Sequence, residues 1–280
     1  MSGDAAAIIS GTFHATAQLA AANNLPPDII LVTPDSVRFF VHASVLKRAS
    51  SNDFAGLLGT PKAPNTVISI RDATCELDLI LRVAYRMEKV DGDIPWVSLT
   101  RSVISLVTYY SVALPGPGNA LFSALVAQVG RADGATDLYA LAGQTGYEAL
   151  AVYASGHLHS LVMANARPEW TVRVGSTYIL RLYMLQMDRT KQFQRIVYGR
   201  PTLHAPQAGC DAENMEILLG SWELAAAELV IAARPDIKVA EIRAKFDPII
   251  ASCSCNACVV MLRDRMRTIV QAWSDVKGTI

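Results

Sequence analysis

Apolar and polar positions change rhythm along this chain, and the change predicts how it is organised. From Asp28 the pattern is short and β-branched: Ile29-Ile30-Leu31-Val32, the turn formers Pro34-Asp35-Ser36, then Val37-Arg38-Phe39-Phe40-Val41. Two such runs flanking a tight turn predict a β-hairpin. Ala43 to Leu58 is expected as one helix or two short ones, with Val45, Leu46, Ala49, Phe54, Leu57 and Leu58 on the apolar side. After a loop from Gly59 to Asn65, Val67-Ile68-Ser69-Ile70 predicts a third strand. Thr74 is placed to cap the next helix, where Glu76 would face the positive end of the helix dipole. In that helix Leu77, Ile80, Leu81, Ala84 and Met87 recur at helical spacing.

From there the period stays helical. Segments are predicted at about Trp96–Val112, Asn119–Val129, Asp137–Asn165 (broken near Gly143–Gly146), Ser176–Ile196, Asp211–Ala233, Asp236–Ala251 and Asn256–Lys277. Pro115-Gly116-Pro117-Gly118 separates the first two, and Gly199–Gly209, with two prolines, is the clearest linker. Tyr183, Met184, Met187, Trp222 and Trp273 are expected in the helical core. Residues 1–24 are alanine-rich without turn punctuation and are expected as a flexible or weakly helical arm. The expected fold is α+β: the arm, a three-stranded sheet with helices over residues 25–130, and an all-helical C-terminal region over 131–280.

Composition narrows the function. Lys+Arg and Asp+Glu are 25 each, and 51% of residues are hydrophobic but only 18% charged, where soluble chains carry about a quarter. Such a chain is too apolar for disorder and has no basic surplus with which to grip nucleic acid. Three stretches lack charge for about a membrane's thickness, Ala5–Pro27, Ser102–Gly130 and Ala149–Ala166, but each is polar or broken by Pro and Gly. No membrane span is expected, and with no basic n-region at Met-Ser-Gly-Asp the expected location is intracellular, cytoplasmic or nuclear. No phosphate loop, nucleophile elbow or His-Glu-x-x-His is present, so an enzyme is not expected.

Five cysteines, three of them within six residues (Cys253, Cys255, Cys258), do not resemble a secreted disulfide framework. Cys255-x-x-Cys258 is half of a structural zinc site, which Cys210 could join from the linker, with Cys253 or His204 as fourth ligand. Reduced structural thiols and a disulfide or redox pair are the competing readings. No cofactor other than zinc is a candidate. His157-x-His159 would point to different sides of a helix, and Arg263, Arg265 and Arg267, interrupted by Asp264, read as a solvated face.

The first unit resembles a BTB/POZ domain. The resemblance rests on Asp28-Ile29-Ile30-Leu31, on Phe39-Phe40-Val41-His42 followed by Val45-Leu46 and Ser50, and on Ile80-Leu81-Arg82-Val83-Ala84-Tyr85. The rest is similar to the helical region of BTB proteins from basidiomycete fungi, through Ala233-Arg234-Pro235-Asp236, the Cys-x-x-Cys and Trp273-Ser274-Asp275-Val276-Lys277. It departs from the family in placing Phe54 four residues after Ser50 instead of three, in Asp35-Ser36 at the turn, and in Ala43 after the His. The resemblance implies a protein–protein interaction module that homodimerises and binds partner proteins, with Asp28, His42, Val45, Leu46, Ser50, Phe54 and Tyr85 as the motif residues. For some members it also implies adaptor work in cullin-3 ubiquitin ligases. Asp28 and His42 have two readings: a polar dimer-interface pocket, as the family implies, or a strand-start acid beside a packed histidine. Other functions left open are a helical ligand-binding protein or unfamiliar enzyme with a pocket in the C-terminal helices, and a zinc-stabilised transcriptional regulator.

Overall fold

Strand Val37–Val41 organises the sheet. A computed structural model describes residues 8–17, 19–90 and 92–280. In it four strands, β1 (Ile8–Ile9), β2 (Ile29–Val32), β3 (Val37–Val41) and β4 (Thr66–Ser69), run in the order β1-β3-β2-β4. The hairpin β2–β3 is antiparallel with Ile29 opposite Val41, and β4 lies parallel to β2 with Ile29 opposite Thr66. Ser36 takes the left-handed conformation at the turn (φ 63°).

The sheet has one strand more than expected, and it comes from the arm. Ile8 and Ile9, a β-branched pair among alanines, lie parallel to Val37 and Arg38. Phe13 then turns inward, fully buried between Phe39 and Tyr85 (ring centroids 6.1 and 5.3 Å), while its carbonyl accepts from the Phe40 N–H at 2.8 Å. Described residues of the arm are therefore partly anchored by a strand, and its helical part is a single 3-10 turn, Ala20–Ala22. Residues 1–7 and Gln18 of that expected arm lie outside the described residues.

α1 (Ala43–Ala49) is half the predicted length. Asp53, Phe54, Ala55 and Gly56 all have positive φ, 53° to 74°, a left-handed turn that side chains with a Cβ normally avoid at about 1–2 kcal/mol each. Burial opposes that cost: Phe54 is fully buried and stacks on Tyr110 at 4.1 Å. The Ser50 hydroxyl accepts from the Phe54 N–H (2.8 Å) and donates to the Tyr110 carbonyl (2.7 Å).

The helices of the first unit are α2 (Thr74–Ala84), α3 (Trp96–Thr108), α4 (Ala120–Val126), α5 (Gly134–Thr145) and α6 (Glu148–Ser155). Thr74 is the first residue of α2 and not its cap. Its hydroxyl donates to Asp35 (2.7 Å), while Glu76 reaches back to the Ala73 N–H (3.3 Å). α2 packs on α3 and α4, and α3 packs on α5. The chain divides into compact units Met1–Ala154 and Ser155–Ile280, later than the boundary near residue 130 expected from the order of strands and helices. α5 belongs to the first unit because Leu138–Ala142 are fully buried and α5 rests on α3.

The second unit is built from α7 (Pro168–Tyr198), α8 (Ala212–Ile231), α9 (Val239–Ala251) and α10 (Asn256–Ser274). Gly175, at φ 76°, breaks α7 into two runs, so the helix predicted from Ser176 is the second of them. Each helix packs on the next and α10 returns to α7. Their core holds Phe193 edge-on to Trp273 (5.0 Å) and Trp222 stacked on Phe246 (4.0 Å). Tyr183, Met184 and Met187, expected in that core, are exposed on α7, because Leu182, Leu185 and Phe193 set the buried stripe. Among the described residues no helix is long and apolar enough to cross a membrane.

Candidate metal centre

Two segments far apart in sequence meet at the N-terminus of α10. The linker after α7 supplies His204 and Cys210, the N-cap of α10 supplies Cys255, and the first turn of α10 supplies Cys258. The linker is fixed at both ends. Arg265, on α10, donates to the carbonyls of Ile196 (2.6 Å) and Gly199 (3.0 Å). At the far end Gln207 and Cys210 exchange backbone hydrogen bonds of 3.0 and 2.9 Å across a tight turn, which Gly209 permits by adopting φ 81°. Gly199 answers to a different need: a Cβ there would meet the Arg265 guanidinium at 2.5 Å.

The four donor atoms all lie within 4.8 Å of one another. His204 Nε2 is 3.1 Å from Cys258 Sγ and 3.6 Å from the Sγ atoms of Cys210 and Cys255, and Cys210 Sγ is 3.4 Å from Cys258 Sγ. Zinc–sulfur and zinc–nitrogen bonds in a tetrahedron put ligand atoms about 3.4–3.8 Å apart, so the set has the size of one ion's coordination shell. His204 is oriented for it. Nδ1 donates to the Ala205 carbonyl at 2.7 Å, which leaves the Nε2 lone pair facing the thiols. The Gln207 amide donates to Cys255 Sγ at 3.2 Å, supporting negative charge on that sulfur. These four residues can hold a metal ion such as zinc.

The thiols differ electrostatically. A hydrogen bond from the Cys258 backbone N–H, opposed by burial and aided by Cys210 and Gln207, brings Cys255 down to about 6. Burial, then hydrogen bonds to Cys210 and Cys255, push Cys258 up to about 12. The bond from Cys258 favours the Cys210 thiolate, but burial and the neighbouring Cys255 outweigh it and leave Cys210 raised. One thiolate beside protonated neighbours is what like charges crowded into one site produce in the absence of a cation.

Cys253, placed among the ligands from sequence, stands outside the set. It lies in the turn that ends α9, and its Sγ donates back to the Ile249 carbonyl at 3.3 Å. His204 takes the fourth place. The supporting groups, Gln207, the Ala205 carbonyl and Arg265, carried no sequence signal as such, since Arg265 read only as one of three arginines on a solvated face.

The motif residues of the first unit make the following contacts within it. Asp28 is exposed, but its Oδ1 accepts from the Ala43 N–H at 2.8 Å and so caps α1. His42 is buried, with Nε2 2.8 Å from the Leu25 carbonyl and Nδ1 2.8 Å from the Tyr85 hydroxyl. Val45, Leu46 and Phe54 are in the core and Ser50 holds the turn. His159 donates from Nε2 to the Gly278 carbonyl (2.7 Å). Comparison of the chain with protein-family models, curated proteins and solved structures finds no match.

Proposed function

We propose that this chain is a non-enzymatic protein-interaction module, a BTB/POZ-type unit joined to a helical unit stapled by zinc, which associates with itself and with partner proteins. The observation that carries the reading is the closure of the cluster formed by His204, Cys210, Cys255 and Cys258. A catalytic zinc keeps one position for water or substrate, whereas four protein donors fill the tetrahedron and leave a structural role. Three thiols and an imidazole favour zinc among divalent ions through ligand softness and geometry. The strand–turn–strand–helix order of β2, β3 and α1 supports the BTB-type reading. The low charge and the exposed apolar side chains of α7 and α8 support association with protein.

Metal analysis of protein purified without chelator tests the staple. About one zinc per chain is expected, and less than about half an equivalent removes zinc from the reading. Light scattering across dilution tests self-association, which a monomer at every concentration would exclude. The ubiquitin-ligase role implied by the resemblance has a separate test, capture of an N-terminal cullin-3 fragment. Micromolar binding would support it and its absence would remove it; in that role the helical unit would have to recognise substrates.

A further inference from the structure

α8 is apolar on two opposite sides. Met215, Leu219, Trp222, Ala226 and Leu229 face the core of the helical unit. On the other side Ile217, Leu224 and Ile231 recur at intervals of seven and are 66%, 66% and 86% exposed. A helix on a protein surface ordinarily turns charge to water, and a seven-residue apolar interval is the seam of paired helices. Gly220 and Ala227 lie beside that seam. A Cβ built at Gly220 meets nothing within 4 Å, so another helix has room to approach closely.

We propose that a second copy of this chain covers the seam, with α8 packing antiparallel on α8 about a two-fold axis at Leu224. The proposal rests on the self-association in the reading above and names its surface. An isologous contact must be self-complementary, and this face is. Reversal about Leu224 sets Ile217 against Ile231 and Leu224 against itself. Each of the four glutamates of α8 meets a residue without charge: Glu216 meets Ala232, Glu223 meets Ala225, Glu228 meets Gly220, and Glu213 falls beyond the helix end at the level of Pro235. A parallel pairing would instead stack every glutamate on its own copy.

The flanking helix adds attraction. α7 runs antiparallel beside α8, as the Gln194 amide bond to the Val230 carbonyl (3.3 Å) and the Arg200–Glu223 ion pair show. Continuing that register places Lys191 level with Ala232, next to Arg195 on the same rim. Among the described residues neither cation has an ion-pair partner. A two-fold axis lying between the helices keeps the α7 side of one copy on the α7 side of the other. Glu216 of the second copy therefore arrives beside Lys191, and the exposed Tyr198 with the half-buried Val230 widens the apolar contact.

Sedimentation of the zinc-loaded chain, residues 1–280, across dilution tests this. Wild type should be a dimer and Leu224→Glu a monomer, with helical content and zinc content unchanged because Leu224 is exposed. Glu216→Lys and Lys191→Glu should each weaken the dimer roughly fivefold, and the double variant should recover most of that loss, which a merely structural role for either residue would not produce. A wild-type monomer overturns both the surface and the self-association it rests on. A dimer that survives Leu224→Glu overturns the α8 surface alone, as does a double variant no tighter than the singles.

Discussion

The Tyr85 hydroxyl meets His42 twice, 2.8 Å from its backbone N and 2.8 Å from its Nδ1. Because the Leu25 carbonyl at 2.8 Å can only accept, Nε2 carries the proton and Nδ1 the lone pair. Tyr85 thus donates to Nδ1 while accepting the His42 N–H, and burial holds its phenol protonated, well above the usual range. One hydroxyl ties the end of α2 to the junction of β3 with α1.

Tyr85→Phe leaves a buried N–H and a buried ring nitrogen without partners, at a cost of about 2–3 kcal/mol. Urea unfolding of the variant should show a lower midpoint with an unchanged slope. Stability equal to wild type would mean that water takes the place of the hydroxyl.

Cysteine substitutions separate ligands from bystander. Cys258→Ser and Cys255→Ser should lose bound zinc and lower the melting temperature by roughly 10 °C, as expected for a loss of about 3–4 kcal/mol in a chain of this size. Cys253→Ser should keep a full equivalent, because its sulfur lies outside the four-donor set and donates to the Ile249 carbonyl. Metal content and melting curves of the three variants decide the ligand set, and zinc loss from Cys253→Ser alone would reverse it.

The linker makes its own contribution to the site. Arg265 fixes the chain at Ile196 and Gly199, ahead of His204 and Cys210. Arg265→Met should free that segment and weaken zinc binding by about tenfold, the low end for supporting residues. Competition with a coloured chelator measures it. Unchanged affinity would show that the Gln207–Cys210 turn orders both ligands unaided.

Periodicity made the hairpin and most helices legible, because each buries a face whose spacing is written in the chain, while β4 was legible from its β-branched run although none of its residues is buried. α8 and α9 were each expected within three residues of where they begin and end. The failures have physical causes. β1 is two residues long and gains its place from pairing with β3 and from Phe13 packing inward, neither of which a local pattern encodes. The left-handed turn at Asp53–Gly56 follows an apolar spacing that also suits a helix, and Tyr110, far along the chain, selects the turn. At the metal centre the Cys-x-x-Cys half was readable, as was Cys210. The choice between His204 and Cys253 was not, since it depends on where the Ala205 carbonyl and the end of α9 turn each side chain.

His159 should make the helical unit sensitive to mild acid. Burial lowers its pKa in the folded chain below the ordinary 6.5, with Arg189 and His157 adding to that direction and the Gly278 carbonyl and Asp236 opposing it. The neutral ring, protonated at Nε2, already satisfies the 2.7 Å bond to Gly278, so folding gains little from a second proton. Below pH 6.5 the unfolded chain binds that proton more readily than the folded one, and stability falls with pH through this window; above it the contribution is fully present. His159→Gln keeps an amide donor for Gly278 but cannot titrate. Between pH 7.5 and 5.5, at saturating zinc, wild type should therefore lose more stability than His159→Gln, the other titrating groups cancelling in the difference. Parallel curves for the two proteins would show that His159 protonates equally well in the folded and unfolded chains.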